Sequence, residues 1–172
     1  MNLQSNDFEL FGLIQKFSQD LPTIDARWKE LQREAHPDKF AGQGASAQRV
    51  AMQWSVRINE AYQRLKGLLN RAAYLCELND CPVNAEKNTA MSASFLMQQI
   101  EWREELDEAE TIEEMHQIAF NAKEYGHKQV LKIEHAIDAQ QNFKQAVEHV
   151  RALMFVERFA TEVEARLDLL QQ

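Results

Sequence analysis

The chain has 172 residues, a net charge of −8, 45 % apolar residues, five glycines and three prolines. That composition excludes a disordered or fibrous chain and fits one domain or two small ones, rich in helix. No apolar run approaches the roughly 20 residues of a membrane span, and Met1 to Asp7 lacks the basic start and apolar stretch of a signal peptide, so a cytoplasmic location is the default expectation.

Charge is uneven along the chain. Residues 1–75 carry 10 Lys/Arg against 8 Asp/Glu, and residues 76–172 carry 9 against 19. The asymmetry points to two parts with different partners, and the acidic half argues against nucleic acid, which needs a basic footprint. Cys76 and Cys81 form a C-x4-C pair with no histidine nearby. Zinc sites generally need four ligands at tighter spacing, so the pair reads as ordinary reduced thiols, with no metal or cofactor expected.

In chain order, Phe8, Phe11, Leu13 and Ile14 predict a short first helix. Pro22 and Thr23 mark the next start, with Thr23 as the expected N-cap. That second helix should run over about 24–35, burying Ile24, Trp28, Leu31 and Ala35 and leaving Arg27, Lys29 and Arg33 outside. His36-Pro37-Asp38-Lys39 then stops it. A residue before proline is pushed out of the helical region, and proline has no amide proton to continue a helix. The result is a polar loop over 36–46 that holds an imidazole and a carboxylate close together, followed by glycines that keep it mobile.

A third helix over about 47–66 carries Val50, Trp54, Ile58, Ala61 and Leu65 on one stripe, Trp54 being read as core. The second and third helices thus form an antiparallel hairpin, with a loop longer than packing alone requires. Residues 68–78 predict a further short helix, and 79–90 a connector. Three longer helices complete the chain as a bundle. The first covers about 91–110. Thr111-x-x-Glu114 is a capping box that starts the second at Ile112, with a stripe of Ile112, Met115, Ala119, Ala122, Gly126, Val130, Ile133 and Ile137. Asn142-x-x-Gln145 caps the last, whose stripe is Phe143, Val147, Val150, Leu153, Ala160, Val163, Leu167 and Leu170.

The 91–110 helix has two apolar faces. With Phe95 at zero, Trp102, Leu106, Ala109 and Met91 fall within about 40° of it, whereas Leu96, Ile100 and Met97 fall near 100°, 140° and 200°. Glu104 lies inside that second arc, and Glu101 and Glu108 border it. Phe155 on the last helix points roughly opposite its local stripe. Two explanations stand on pattern alone: a bundle that buries more than one face of each helix, or a protein-binding surface rimmed by carboxylates.

The His36-Pro37-Asp38 tripeptide after the basic segment RWKELQREA resembles the J-domain co-chaperones. The segments DFELFGL, LQREAHPDKF, INEAYQRL, RAAYL and FLMQQIEWREELDE resemble the HscB type in particular, over nearly the whole chain. The resemblance implies an all-α protein: a J domain (1–78), a connector (79–90) and a C-terminal three-helix domain (91–172), L-shaped overall. It implies that His36, Pro37, Asp38 and Lys39, with Arg27, Lys29 and Arg33, meet a DnaK-class chaperone, HscA, and stimulate its ATPase. It implies that Leu96, Met97, Ile100, Glu101, Glu104 and Phe155 bind the iron–sulfur scaffold protein IscU, so that the whole promotes cluster transfer. Those six are the residues left outside the core stripes.

Three departures from the family pattern are visible. Ile100 stands where leucine is usual. The segment GLLNRA replaces one that usually contains Pro-Leu, so the third helix is expected to run on further. The cysteine-rich N-terminal extension of some eukaryotic members is not expected, which favours a bacterial type. The function expected is therefore recruitment rather than catalysis. An enzyme using His36 and Asp38 as an acid–base pair would need a pocket and a third orienting group; His116, His127, His135 and His149 are not spaced to supply one. A J-protein with another client is the closer alternative. Nothing resembles a long self-complementary seam, so a monomer is expected.

Overall fold

The computed structural model describes residues 4–83 and 91–170, in two compact units that divide between Leu75 and Cys76. Part of the expected 79–90 connector, residues 84–90, lies outside the described residues, as does the side chain of Leu170. All the regular structure among the described residues is helical.

In the first unit, α1 (Asp7–Phe11) is a single tight turn of helix. Asn6 and Glu9 form a capping box at its start, and Gly12 ends it in the left-handed conformation at φ 64°. Phe8 and Phe11 are buried as the spacing predicts, but the chain has left the helix by Ile14, which is 73 % exposed. The unit also buries a charge that the pattern did not reveal. Asp7, fully inaccessible, pairs with Arg57 at 2.6 Å and Arg64 at 3.4 Å, and its backbone N–H donates to the Tyr74 hydroxyl at 3.0 Å. A carboxylate out of water persists only with such partners.

The second helix, α2 (Leu21–Glu34), starts three residues before the expected point. Its N-cap is Asp20, not Thr23: the Asp20 carboxylate accepts the Thr23 N–H at 3.1 Å, and Pro22 sits in the first turn, where its missing amide costs nothing. Helix α3 (Ala45–Lys66) runs back beside α2. Ile24, Leu31, Ile58, Ala61 and Leu65 form the buried seam, joined by Ala51 and Tyr62. Trp28 is only half-buried, stacked on Tyr62 with ring centroids 4.8 Å apart, and its indole N–H donates to Asn59. The upper part of the expected stripe is not core either. Val50 is 47 % exposed and Trp54 is half-buried, because the first turns of α3 extend past the end of α2 with only the loop beside them.

Helix α3 does not run on. It stops at Lys66, where Gly67 takes an extended conformation (φ −76°, ψ 127°), and α4 (Leu68–Leu78) follows. The Gly67 carbonyl accepts the Arg71 N–H at 2.8 Å, which opens the new helix without a proline. Arg71 is itself buried, its guanidinium donating to the carbonyls of Phe17 and Leu65. Cys76 is buried, and burial pushes its thiol up to about 12, which leaves it protonated and inert.

The second unit is built on α5 (Ala93–Glu108), α6 (Ile112–Glu134) and α7 (Phe143–Leu170). Ser92 caps α5, and the Thr111–Glu114 capping box opens α6 as expected. Asn142 caps α7, its side chain accepting the Gln145 N–H at 3.2 Å. Helix α6 does not reach Ile137 in regular form: His135–Ala139 make a π-turn, and Gln141 takes a left-handed conformation at φ 52° to reverse the chain. Helices α6 and α7 then pack along most of their length. They approach closely at Gly126, where a Cβ would stand 3.2 Å from Val156 Cγ1. One core cluster joins Trp102, Leu106, Ile118, Ala122, Val156, Phe159 and Val163, and of these Ile118 and Phe159 lie outside the expected stripes. Arg166 ties α5 to α7, donating to the Leu106 carbonyl and the Asp107 carboxylate at 2.9 and 2.8 Å.

Candidate functional site

The polar loop lies in the first unit, and its conformation follows from its own residues. His36 is extended (φ −63°, ψ 126°), as the following proline requires, and Pro37–Gln43 form 3₁₀ turns. His36 acts as their N-cap: its Nδ1 accepts the Asp38 N–H at 3.3 Å, and its carbonyl accepts the Lys39 N–H at 3.0 Å. The root of the loop is pinned to α3. Ser55 Oγ donates to the Ala35 carbonyl at 3.4 Å, and Gln32 donates to the Ser55 carbonyl and to Asn59. Sequence reasoning missed these three anchors; polar residues at helical spacing facing a partner helix were the only available signal.

The side chains of His36 and Asp38 face water. The His36 side chain is 57 % exposed and that of Asp38 is 91 % exposed, with Nδ1 and Oδ2 3.6 Å apart. At such exposure an ion pair between them would be strongly screened. The arrangement suits a contact made by another molecule. Lys29, Arg33 and Lys39 are exposed as expected. Arg27 is different. Its Nε donates to the Phe11 carbonyl at 3.1 Å and it pairs with Glu30 at 2.8 Å, so it fastens the end of α1 to α2.

The second candidate surface lies in the other unit, on α5. Phe95, Trp102 and Leu106 are buried, whereas Leu96, Met97 and Ile100 are 43 %, 63 % and 56 % exposed. Glu101 and Glu104 are exposed beside them, with Gln98 donating to Glu101 at 3.1 Å. The wheel therefore separates the two faces correctly. Phe155 requires correction. It does not point away from the core but stands half-buried in an aromatic cluster, with ring centroids 5.7 Å from Phe95, 6.2 Å from Trp102 and 6.0 Å from Phe159. The Arg103 guanidinium lies 6.0 Å from its ring. A position opposite the aliphatic stripe of α7 faces the aromatic side chains of α5.

Among the described residues no group of His, Cys, Asp and Glu is arranged to hold a metal, and no helix is long and apolar enough to cross a membrane.

A helical hairpin with an exposed His-Pro-Asp loop, followed in the chain by a three-helix bundle, defines a J-domain co-chaperone with a C-terminal helical domain of its own. Residues 91–164 match the sequence model of the HSCB C-terminal oligomerisation domain. The chain is 41 % identical to a co-chaperone protein HscB homolog of Burkholderia thailandensis over 99 % of both chains, and 37 % identical to one of Burkholderia cenocepacia over the same share. Among solved structures it resembles chaperone HscB from Vibrio cholerae (TM-score 0.82, 30 % identity, covering 96 % of this chain and 99 % of that one). It shares its fold with human co-chaperone HscB (TM-score 0.86, 24 % identity, 99 % and 84 % covered). The chain belongs to the HscB co-chaperone family.

Proposed function

We propose that this protein binds the iron–sulfur scaffold IscU through its C-terminal bundle, presents it to the DnaK-class chaperone HscA, and stimulates ATP hydrolysis through the His36–Asp38 loop, promoting cluster transfer. The observation that carries this reading is the loop itself: self-capped, rooted on α3, and exposing the Asp38 carboxylate almost completely. A carboxylate so held can accept a charge-assisted hydrogen bond from a chaperone arginine, and a loop stiffened by Pro37 loses little entropy on docking. Lys29 and Arg33 supply positive charge that steers α2 onto an acidic surface and speeds association. Arg27, tied to Phe11 and Glu30, contributes mainly through its charge.

Leu96, Met97 and Ile100, flanked by Glu101 and Glu104, support the scaffold-binding half. Exposed apolar side chains beside carboxylates are suited to a partner with an apolar patch and basic rim. The test is calorimetric titration of scaffold with native protein and with Leu96→Ala and Met97→Ala. The expected loss is about 1 kcal/mol or more of binding energy with unchanged melting. Native affinity in both variants, or no binding by native protein, would direct the C-terminal domain to a different client.

A further inference from the structure

The sequence places an apolar stripe along the whole of α3, but the chain covers only its lower part. The first turns of α3 form one wall of a groove of about 520 Å³, whose other wall is the end of α2 and the 3₁₀ segment Pro37–Gln43. Val50, Ala51 and Trp54 line one side, Ala35 and Phe40 the other, and Glu34, Gln43 and Ser46 stand among them. That volume is within the range of cavities that hold ligands, roughly 300–1,000 Å³. Val50 is 47 % exposed in it.

The groove is continuous with the loop, because Ala35 immediately precedes His36 and Phe40 follows Asp38 by two residues. A body that engages Asp38 thus meets a contact only two residues along the chain from a groove-lining side chain. We propose that the groove seats an apolar segment of the chaperone, so that the loop fixes position through polar contacts while the groove supplies hydrophobic contact. This rests on the reading of the loop as the chaperone contact. It explains why Val50, Trp54 and Phe40 are kept at a surface. Burying them against a partner recovers the hydrophobic free energy that the isolated domain leaves unrealised. Gln43 and Ser46 carry side-chain donors and acceptors for the main chain of a docked segment.

The experiment is ATPase stimulation of the HscA-type chaperone as a function of co-chaperone concentration, using full-length native protein, Val50→Asp, Met52→Asp and Asp38→Asn. Met52 is 61 % exposed on the same helix and is not part of the groove lining, so it controls for added charge. Melting is recorded for each variant. The expected result is a tenfold or greater rise in the half-saturating concentration for Val50→Asp, a change within twofold for Met52→Asp, and loss of stimulation for Asp38→Asn. Native behaviour of Val50→Asp alongside loss in Asp38→Asn would overturn the groove while leaving the loop reading intact. Equal weakening by both aspartates would also overturn it, as would sedimentation showing that native protein self-associates and Val50→Asp does not, which would make a second copy the occupant. Full stimulation by Asp38→Asn would remove the reading on which the groove depends. Should Val50→Asp melt earlier than native, Val50→Thr carries the test, with a smaller shift in the same direction expected and no shift refuting the proposal.

Discussion

His36 Nδ1 accepts the backbone N–H of Asp38 at 3.3 Å, so the first residue of the tripeptide holds the third in place. A neutral imidazole that accepts at Nδ1 carries its proton on Nε2. One edge of the ring is then structural and the other is a donor for a partner. Asparagine places an acceptor oxygen where Nδ1 stands and has no equivalent of Nε2. His36→Asn is therefore expected to melt within about 0.5 kcal/mol of native, as exposed substitutions do, yet to lose chaperone stimulation. Retained stimulation in a steady-state ATPase assay would show that the outer edge of the ring is not used.

The buried Asp7 gives a contrasting expectation. Asp7→Asn leaves Arg57 and Arg64 facing an uncharged group inside the first unit. Removing one partner of a buried ion pair costs about 3–5 kcal/mol, and the partial exposure of both arginines places this case near 3. Chemical denaturation followed by circular dichroism should show that loss.

Leu96 and Phe155, assigned to the same surface, are expected to behave differently. Leu96→Ala on the exposed face of α5 should change stability by under about 0.5 kcal/mol. Phe155→Ala removes a ring in contact with Phe95, Trp102 and Phe159. It should cost about 2 kcal/mol, less than the 3–5 of a fully buried phenylalanine. A scaffold-affinity loss in Phe155→Ala thus needs correction for folding, whereas one in Leu96→Ala does not. Equal melting of the two variants would contradict the placement of Phe155.

Burial pushes the His149 imidazole below its ordinary value; Lys132 adds to the shift and Glu148 opposes it. Its Nδ1 is paired with buried Gln129 at 2.9 Å. The folded state thus favours the neutral ring, and as pH falls the unfolded chain takes up its proton first. The contribution is complete above about 6.5 and is lost as pH falls from there through the lower folded value. Melting of native protein should decline over that interval, and His149→Gln should flatten the decline. A slope unchanged by the substitution would assign the titration to another group.

Local signals in this chain were legible where they are self-contained. Thr111 and Glu114 announce α6, Asn142 announces α7, and the two faces of α5 separate on a wheel because each helical position has a fixed direction. The errors lie where distant chain decides. Asp20 and Thr23 are both good capping residues three positions apart, and the only local sign that separates them is Pro22, which is at home in a first turn and so favours Asp20. Trp54 continues a sound stripe, but whether a stripe is covered depends on how far the neighbouring helix reaches. Phe155 breaks the stripe of its own helix because it answers the aromatic rings of another. Asp7 reads as an ordinary first-turn acid until α3 brings Arg57 and Arg64 onto it.

The most direct test of the central claim is steady-state ATP hydrolysis by the HscA-type chaperone from the same organism, with and without scaffold, on adding native protein or Asp38→Asn. Stimulation by native protein, amplified by scaffold, is expected, and none by Asp38→Asn, whose folding should be unchanged because the side chain is 91 % exposed. Losing a hydrogen bond to a charged group costs about 1.5–3 kcal/mol, enough to remove a weak docking contact. Absence of stimulation by a folded native sample, or full stimulation by Asp38→Asn, would contradict the account.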